Sequence, residues 1–285
     1  MEKDANRLKV IENIKESVKK NELNNKVELG DPVITDEQRE KIIIPFDILR
    51  KKNKNKVKQT LARKFANVAT GVLNKDTEIV GLENLEELKD KGFIVTCNHF
   101  HFFDSTPIRK FILKIKREKN FYILIEETNV LMKGLFGFLL NNCSTIPYSN
   151  NMNYLLNNFY PSLKKLFENK GIILVYPEQE LWYNYKKPRS EKIGAFHFAV
   201  KYNVPVLPCF IELKELDKYG KDGFKKVKYI VHILKPIYPN NDLSSKDRKN
   251  TMMDEDYRSK VETYEKSYNK KLDYTFSDWD IAGLE

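Results

Sequence analysis

From Thr77 to Leu234 the sequence alternates short, unbroken apolar runs with stretches of helical spacing. The runs "TEIVG", "FIVTC", "FYILIEE", "CSTIPY", "GIILVYPE", "VPVLPCFIEL" and "KVKYIVHIL" read as strands. Between them, "ENLEEL", "TPIRKFILKIK", "VLMKGLFGFLLNN", residues 152–169 and "IGAFHFAVKY" read as helices, the fourth interrupted or restarted at Pro161. Thr106 is the expected cap of the second helix, with Pro107 in its first turn. Strands this apolar, separated by amphipathic helices, require a sheet covered on both faces. The expected fold class is therefore α/β, a mixed, mostly parallel sheet flanked by helices. "KVKYIVHIL" follows the turn "KYGKDG" and should run antiparallel to its predecessor.

The chain has 285 residues, 41% of them hydrophobic, enough for one large α/β domain or two small ones. Residues 1–56 read as a polar, helical, partly mobile leader, 57–240 as the α/β domain, and 241–285 as a C-terminal helical extension packed on it. The most apolar stretch, Gly134 to Leu140, is far short of the ~20 residues of a membrane helix. "MEKDANRLKVIENIKES" is charged throughout and does not read as a secretory signal. Cys97, Cys143 and Cys209 are widely spaced in apolar settings, which suits buried small hydrophobes in a reducing cytoplasm rather than disulfides or a zinc knuckle.

Lysine and arginine exceed aspartate and glutamate by 50 to 40, a formal charge of +10. Nucleic acid, an anionic membrane surface or an anionic substrate could each answer that charge. The densest run, Arg50 to Lys64, holds eight basic residues and no acid. It merges into Val57, Leu61, Phe65, Val68 and Val72, one face of a helix. A basic amphipathic helix reads as a membrane-surface element more readily than as a nucleic-acid reader. Its competing reading is a helix packed on its own domain with a solvated basic face. No nucleic-acid partner is expected, since the run lacks a reading module.

The stretch "FIVTCNHFHFFDSTPI" carries the chemistry. His99 leaves the carboxyl end of an apolar strand, where α/β folds place their clefts. Asp104 can meet it only if the chain turns back before the next helix. The carboxylate would then accept the proton of one imidazole nitrogen and leave the other as a general base. No serine stands beside His99, and the side chain of Cys97 lies along the strand. The base would thus act on a substrate hydroxyl rather than an enzyme nucleophile. His99, His101 and Asp104 could alternatively ligate a metal, but such a site needs further ligands, and His197 and His232 sit in apolar stretches that favour burial. No metal is expected, and His101 is read as a cleft-lining or core residue.

Four blocks in order resemble the glycerolipid (lysophosphatidic acid) acyltransferase family. They are "IVGLENLEELKDKGFIVTCNHFHFFDSTPI" with its NHx4D signature, "GLFGFLLNNCSTIPYSNN", "GIILVYPEQE", and "KIGAFHFAVKYNVPVLPCFI". The third is usually read as Phe-Pro-Glu-Gly-Thr-Arg in that family. The resemblance implies transfer of an acyl group from a thioester, acyl-CoA or acyl carrier protein (acyl-ACP), to a hydroxyl, with no cofactor. It implies that His99 is the base, that Asp104 orients it, and that Glu178 belongs to the acceptor side. It makes Asn98, Asn150 and Pro208 supporting residues, Pro208 shaping the wall of the cleft. It also implies work at the cytoplasmic, inner face of a membrane.

Two arginines that grip an acceptor phosphate in that family are replaced here by Asn150 and Leu181. Either "LWYNYKKPRSEK" supplies the grip, with Arg189 and Lys192 foremost, or the acceptor lacks phosphate there. Trp182 would suit stacking on a sugar or glycerol-like face. The resemblance therefore implies a lysophospholipid or glycerol-phosphate-like acceptor. A glycolipid sugar or amine acceptor is one alternative. An idle membrane-lipid-binding relative is another, and the intact His99/Asp104 pair speaks against it.

Overall fold

The computed structural model describes residues 3–30, 33–35, 37, 39 and 53–284. Arg50, Lys51 and Lys52 of the basic run lie outside the described residues. Among the described residues seven strands form one sheet: β1 (Glu78–Val80), β2 (Phe93–Thr96), β3 (Phe121–Glu126), β4 (Thr145–Tyr148), β5 (Ile172–Val175), β6 (Val206–Tyr219) and β7 (Lys225–Ile233). Their order is β1-β7-β6-β2-β5-β3-β4. β2 to β6 are mutually parallel, β7 runs antiparallel to β6, and β1 is parallel to β7. The sheet is mixed and mostly parallel, as the strand pattern predicts.

Among the described residues the helices are α1 (Ala5–Lys19), α2 (Asn53–Leu73), α3 (Ser105–Lys114), α4 (Gly134–Asn142), α5 (152–168), α6 (Gly194–Tyr202) and α7 (Ser245–Tyr268). Short 3₁₀ turns cover Leu82–Leu88 and Glu127–Leu131. Alternate side chains of the central strands feed two cores. Phe93, Val95 and Cys97 pack with Phe111 and Ile112 of α3 on one face. Ile94, Ile173 and Val206 pack with α5, α6 and Met252 of α7 on the other. All three cysteines are buried and none forms a disulfide, with Cys97 and Cys209 in the first of these cores. Gly81 adopts φ +84°, where a side chain would collide with the Ile233 carbonyl, so β1 can hand over to the 3₁₀ turn against β7.

α5 is interrupted before Pro161 and restarts there, as its sequence suggests. Leu155–Phe159 widen into a π turn and the α-helix resumes at Tyr160 with Pro161 in its first turn, because a proline without N–H leaves the carbonyl of Asn157 without its ordinary helical donor. Other local expectations need correction. The cap of α3 is Asp104, not Thr106, and its carboxylate makes no capping bond. α1, helical as expected but read as part of a polar leader, packs its apolar face on the domain. Val10, Ile11, Ile14 and Val18 form a third core with Trp182, Tyr183, Tyr185, Phe224, Ile281 and Leu284. The chain after α7 folds back into that same core.

α2 is turned the opposite way from a core helix. Ala62 and Thr70 are buried, while Val57, Leu61, Phe65, Val68 and Val72 are 47–73% exposed. Its small and polar side packs against α3. Asn74, just past the helix, donates to the Thr106 hydroxyl at 2.8 Å, and Asn67 accepts from Arg109 at 3.5 Å. The apolar stripe is left facing outward. No described helix is long and apolar enough to cross a membrane.

Candidate active site

β2 and β5 are neighbours, with Thr96 opposite Val175, so their carboxyl ends deliver Asn98-His99 and Tyr176-Pro177-Glu178 side by side. Asn98 lets the chain leave the ladder without orphaning its neighbour. Its amide donates to the Ile211 carbonyl at 3.1 Å and accepts the Ile211 N–H at 2.8 Å, taking the place of the next backbone rung. Pro208, opposite Thr96 on β6, needs no N–H on that side and is buried beside it.

Beyond Asn98 the chain turns sharply, with the Asp104 N–H on the His101 carbonyl at 3.0 Å. That turn brings Asp104 Oδ2 to 2.7 Å from His99 Nδ1. Oδ2 also accepts the N–H of Phe100 at 3.0 Å and of His101 at 3.3 Å. The other oxygen, Oδ1, accepts the Tyr176 hydroxyl at 2.6 Å. The carboxylate is almost wholly buried, whereas the imidazole is 20% exposed. The Tyr176 ring lies parallel to the imidazole, centroids 4.0 Å apart and planes 16° from parallel. Burial and the nearby Asp104 charge push the Tyr176 phenol well above its ordinary range, so it stays a donor. With Nδ1–H committed to Asp104, Nε2 is the nitrogen left to take a proton.

The backbone of His99 is held as firmly as its ring. Its N–H donates to Glu178 Oε2 at 3.2 Å, and its carbonyl accepts the Trp182 N–H at 3.1 Å and Arg189 at 3.3 Å. Arg189 pairs with Glu178 at 2.8 Å and also donates to the carbonyls of Leu23 and Glu180. His101 is set apart from this dyad. Its Nδ1 accepts the Phe103 N–H at 3.2 Å, and burial lowers its pKa. Among the described residues, no group of three or more His, Cys, Asp or Glu could hold a metal.

Residues 76–212 match the family model described as Acyltransferase. The domain of residues 76–212 belongs to the acyltransferase family. Among solved structures, the chain is similar to the 1-acyl-sn-glycerophosphate acyltransferase PlsC from Thermotoga maritima. Identity is 18%, the match covers 82% of this chain and 90% of that one, and the TM-score is 0.47. No curated protein matches it.

Within the acyltransferase domain, His99, Asp104 and Glu178 stand together, with Asn98 and Pro208 behind them. Arg189 joins them through Glu178 and the His99 carbonyl, but not as a phosphate grip. Arg189 is 1% exposed with its guanidinium committed to Glu178 and three carbonyls, so it cannot turn outward to an anion without stranding a buried carboxylate. Lys186 and Lys187 are buried too, paired with Glu215 at 2.9 Å and Asp280 at 2.9 Å. Trp182 is fully buried, its Nε1 donating to the Asn25 carbonyl at 2.9 Å and Arg189 lying 4.5 Å above its ring. It is a core residue, not a stacking platform. Lys192 is exposed at the approach to α6, its N–H on the Pro177 carbonyl at 2.8 Å. Asn150 is exposed beyond β4, on the far side of β5 and β3 from His99. Sequence reasoning passed over Tyr176. The available signal was a tyrosine where the third block usually has phenylalanine.

Proposed function

We propose that the protein is an O-acyltransferase that moves a fatty acyl group from acyl-CoA or acyl-ACP to the hydroxyl of a lysophospholipid or glycerol-phosphate-like acceptor. The observation that carries this reading is the His99 Nδ1–Asp104 Oδ2 contact of 2.7 Å, which leaves a partly exposed imidazole as base. His99 Nε2 takes the acceptor O–H proton as the oxygen attacks the thioester carbonyl. The C–O bond forms, the tetrahedral intermediate collapses, and the C–S bond breaks. The departing thiolate recovers the proton from the imidazolium and leaves as thiol. The step is direct, with no acyl-enzyme.

The outward stripe of α2, flanked by exposed Lys56, Lys58 and Lys64, supports a peripheral site on an anionic membrane. Exposed Phe102 and Phe103, three to four residues after His99, place apolar surface beside the dyad, which suits an acceptor met at a lipid surface. A second reading, a neutral acceptor, is favoured by the burial of Arg189, Lys186 and Lys187, which leaves Lys192 as the exposed basic residue of that loop.

A panel of lysophospholipids, glycerol phosphate and glycolipids, incubated with labelled acyl-CoA and acyl-ACP, tests both readings. Acylation of a phosphate-bearing acceptor, with its KM raised in K192A, is the expected result. Acylation confined to neutral acceptors would replace the first reading with the second.

A further inference from the structure

We propose that Tyr176 is a positioning residue of this acyltransferase: its hydroxyl fixes and moderates the Asp104 carboxylate, while its ring backs the His99 imidazole. The inference rests on His99 being the base. It begins from the division of labour on Asp104. Oδ2 receives three N–H donors, among them His99 Nδ1, and Oδ1 receives the Tyr176 hydroxyl at 2.6 Å. A carboxylate is planar, so fixing Oδ1 also fixes where Oδ2 points. The same bond draws charge from the carboxylate and weakens its pull on a protonated imidazole.

The ring acts in the opposite sense. At 4.0 Å and nearly parallel, its face favours the imidazolium that forms during turnover. The two ends of one side chain therefore push the base in opposite directions. The ring is shared with the phenylalanine usual in this block, and the hydroxyl is what this chain adds.

The other titratable groups around the dyad come from every neighbouring element. They are Cys97 just after β2, His101 in the turn, Glu178 after β5, Arg189 on the buried loop and Tyr229 on β7, with Arg7 of α1 and Asp222 acting on His101. All of them are present in both Tyr176 variants, so the difference between Y176F and Y176L reports on the ring.

The test is the pH dependence of kcat/KM for the full chain with palmitoyl-CoA and whichever panel acceptor it acylates. In Y176F the acid limb moves up by about half a pH unit, while KM for either substrate stays within about twofold. In Y176L, which loses the ring as well, the limb falls back below that of Y176F. A native profile in Y176F overturns the inference, and so does an equal loss at every pH with a lowered Tm. H99A, run alongside, separates the two claims. If H99A remains active, it is the reading of His99 as base that fails. If H99A is dead and Y176F behaves as native, only the role of Tyr176 falls.

Discussion

In the proposed reaction His99 is the base: Asp104 takes up one of its nitrogens and leaves the other unpaired by that carboxylate. Replacing His99 with alanine should abolish acyl transfer and leave the Tm close to native, since the ring is partly exposed and fills no core cluster. Asp104→Asn should lower kcat by ~10²–10⁴-fold, because an amide cannot hold the Nδ1 tautomer as a carboxylate does. His101→Ala should matter far less, as its ring bonds only locally. Steady-state kinetics on the three variants checks this, and an essential His101 would count against the dyad. A second residue-scale prediction concerns Glu191. It is buried against Lys260, which is shared with Asp256, and Asp256 in turn accepts the hydroxyl of Thr96 on β2 at 2.6 Å. Burial, reinforced by Asp256, pushes the Glu191 carboxyl well above its ordinary range. The folded protein then keeps a proton that the unfolded chain gives up, so this group's stabilisation is present at low pH and lost as pH rises. Tm measured from about pH 5 to 8 should fall less steeply in E191Q, which is neutral throughout, than in the native protein.

At the scale of elements, α2 shows how periodicity can be right about a helix and silent about its facing. The four-four-three-four spacing does form one stripe, but alanine, threonine and asparagine make the contacts to α3. Small residues let the two backbones approach, and the large ones are left outside. Changing Leu61, Phe65 and Val68 to glutamate should therefore cost little stability, on the order of the ~0.5 kcal/mol typical of surface changes. The same change should abolish binding to anionic vesicles in a sedimentation assay. Reversing Lys56, Lys58 and Lys64 to glutamate should weaken that binding by ~1 kcal/mol for each residue that sits near the surface. A marked loss of Tm in the apolar variant would mean that the stripe packs against protein instead.

Over the whole molecule, the acyltransferase domain of residues 76–212 is closed by chain from both ends. The loop that carries Trp182 and Arg189, and so holds the His99 backbone, is packed by α1 from one side and by residues 274–284 from the other. Lys186 N–H donates to the Asp280 carbonyl at 2.8 Å, Lys187 pairs with the Asp280 carboxylate, and Tyr274 donates to the Pro188 carbonyl at 2.8 Å. Lys187 and Asp280 are both almost fully buried. Asp280→Ala should thus destabilise the protein by ~3–5 kcal/mol, since it strands a buried ammonium. Replacing both residues with apolar ones of similar size should cost much less. Denaturant melts decide between these outcomes, and an unperturbed D280A would show that the tail does not close the loop.

The sequence by itself determined the sheet and the helices between its strands, and it set His99 and Asp104 where a turn could pair them. These depend on local spacing: apolar runs select strands, and a fixed five-residue turn can bring acid to imidazole. Tertiary structure alone decided which charges face water. Arg189, Lys186 and Lys187 stand in a stretch that reads as an exposed basic loop, yet each is met by a carboxylate, and two of those partners, Glu215 and Asp280, lie 29 and 93 residues further along the chain. The outward turn of α2 and the burial of Trp182 were hidden for the same reason. Burial is settled by what packs against a side chain, and for these residues the partners are distant in sequence.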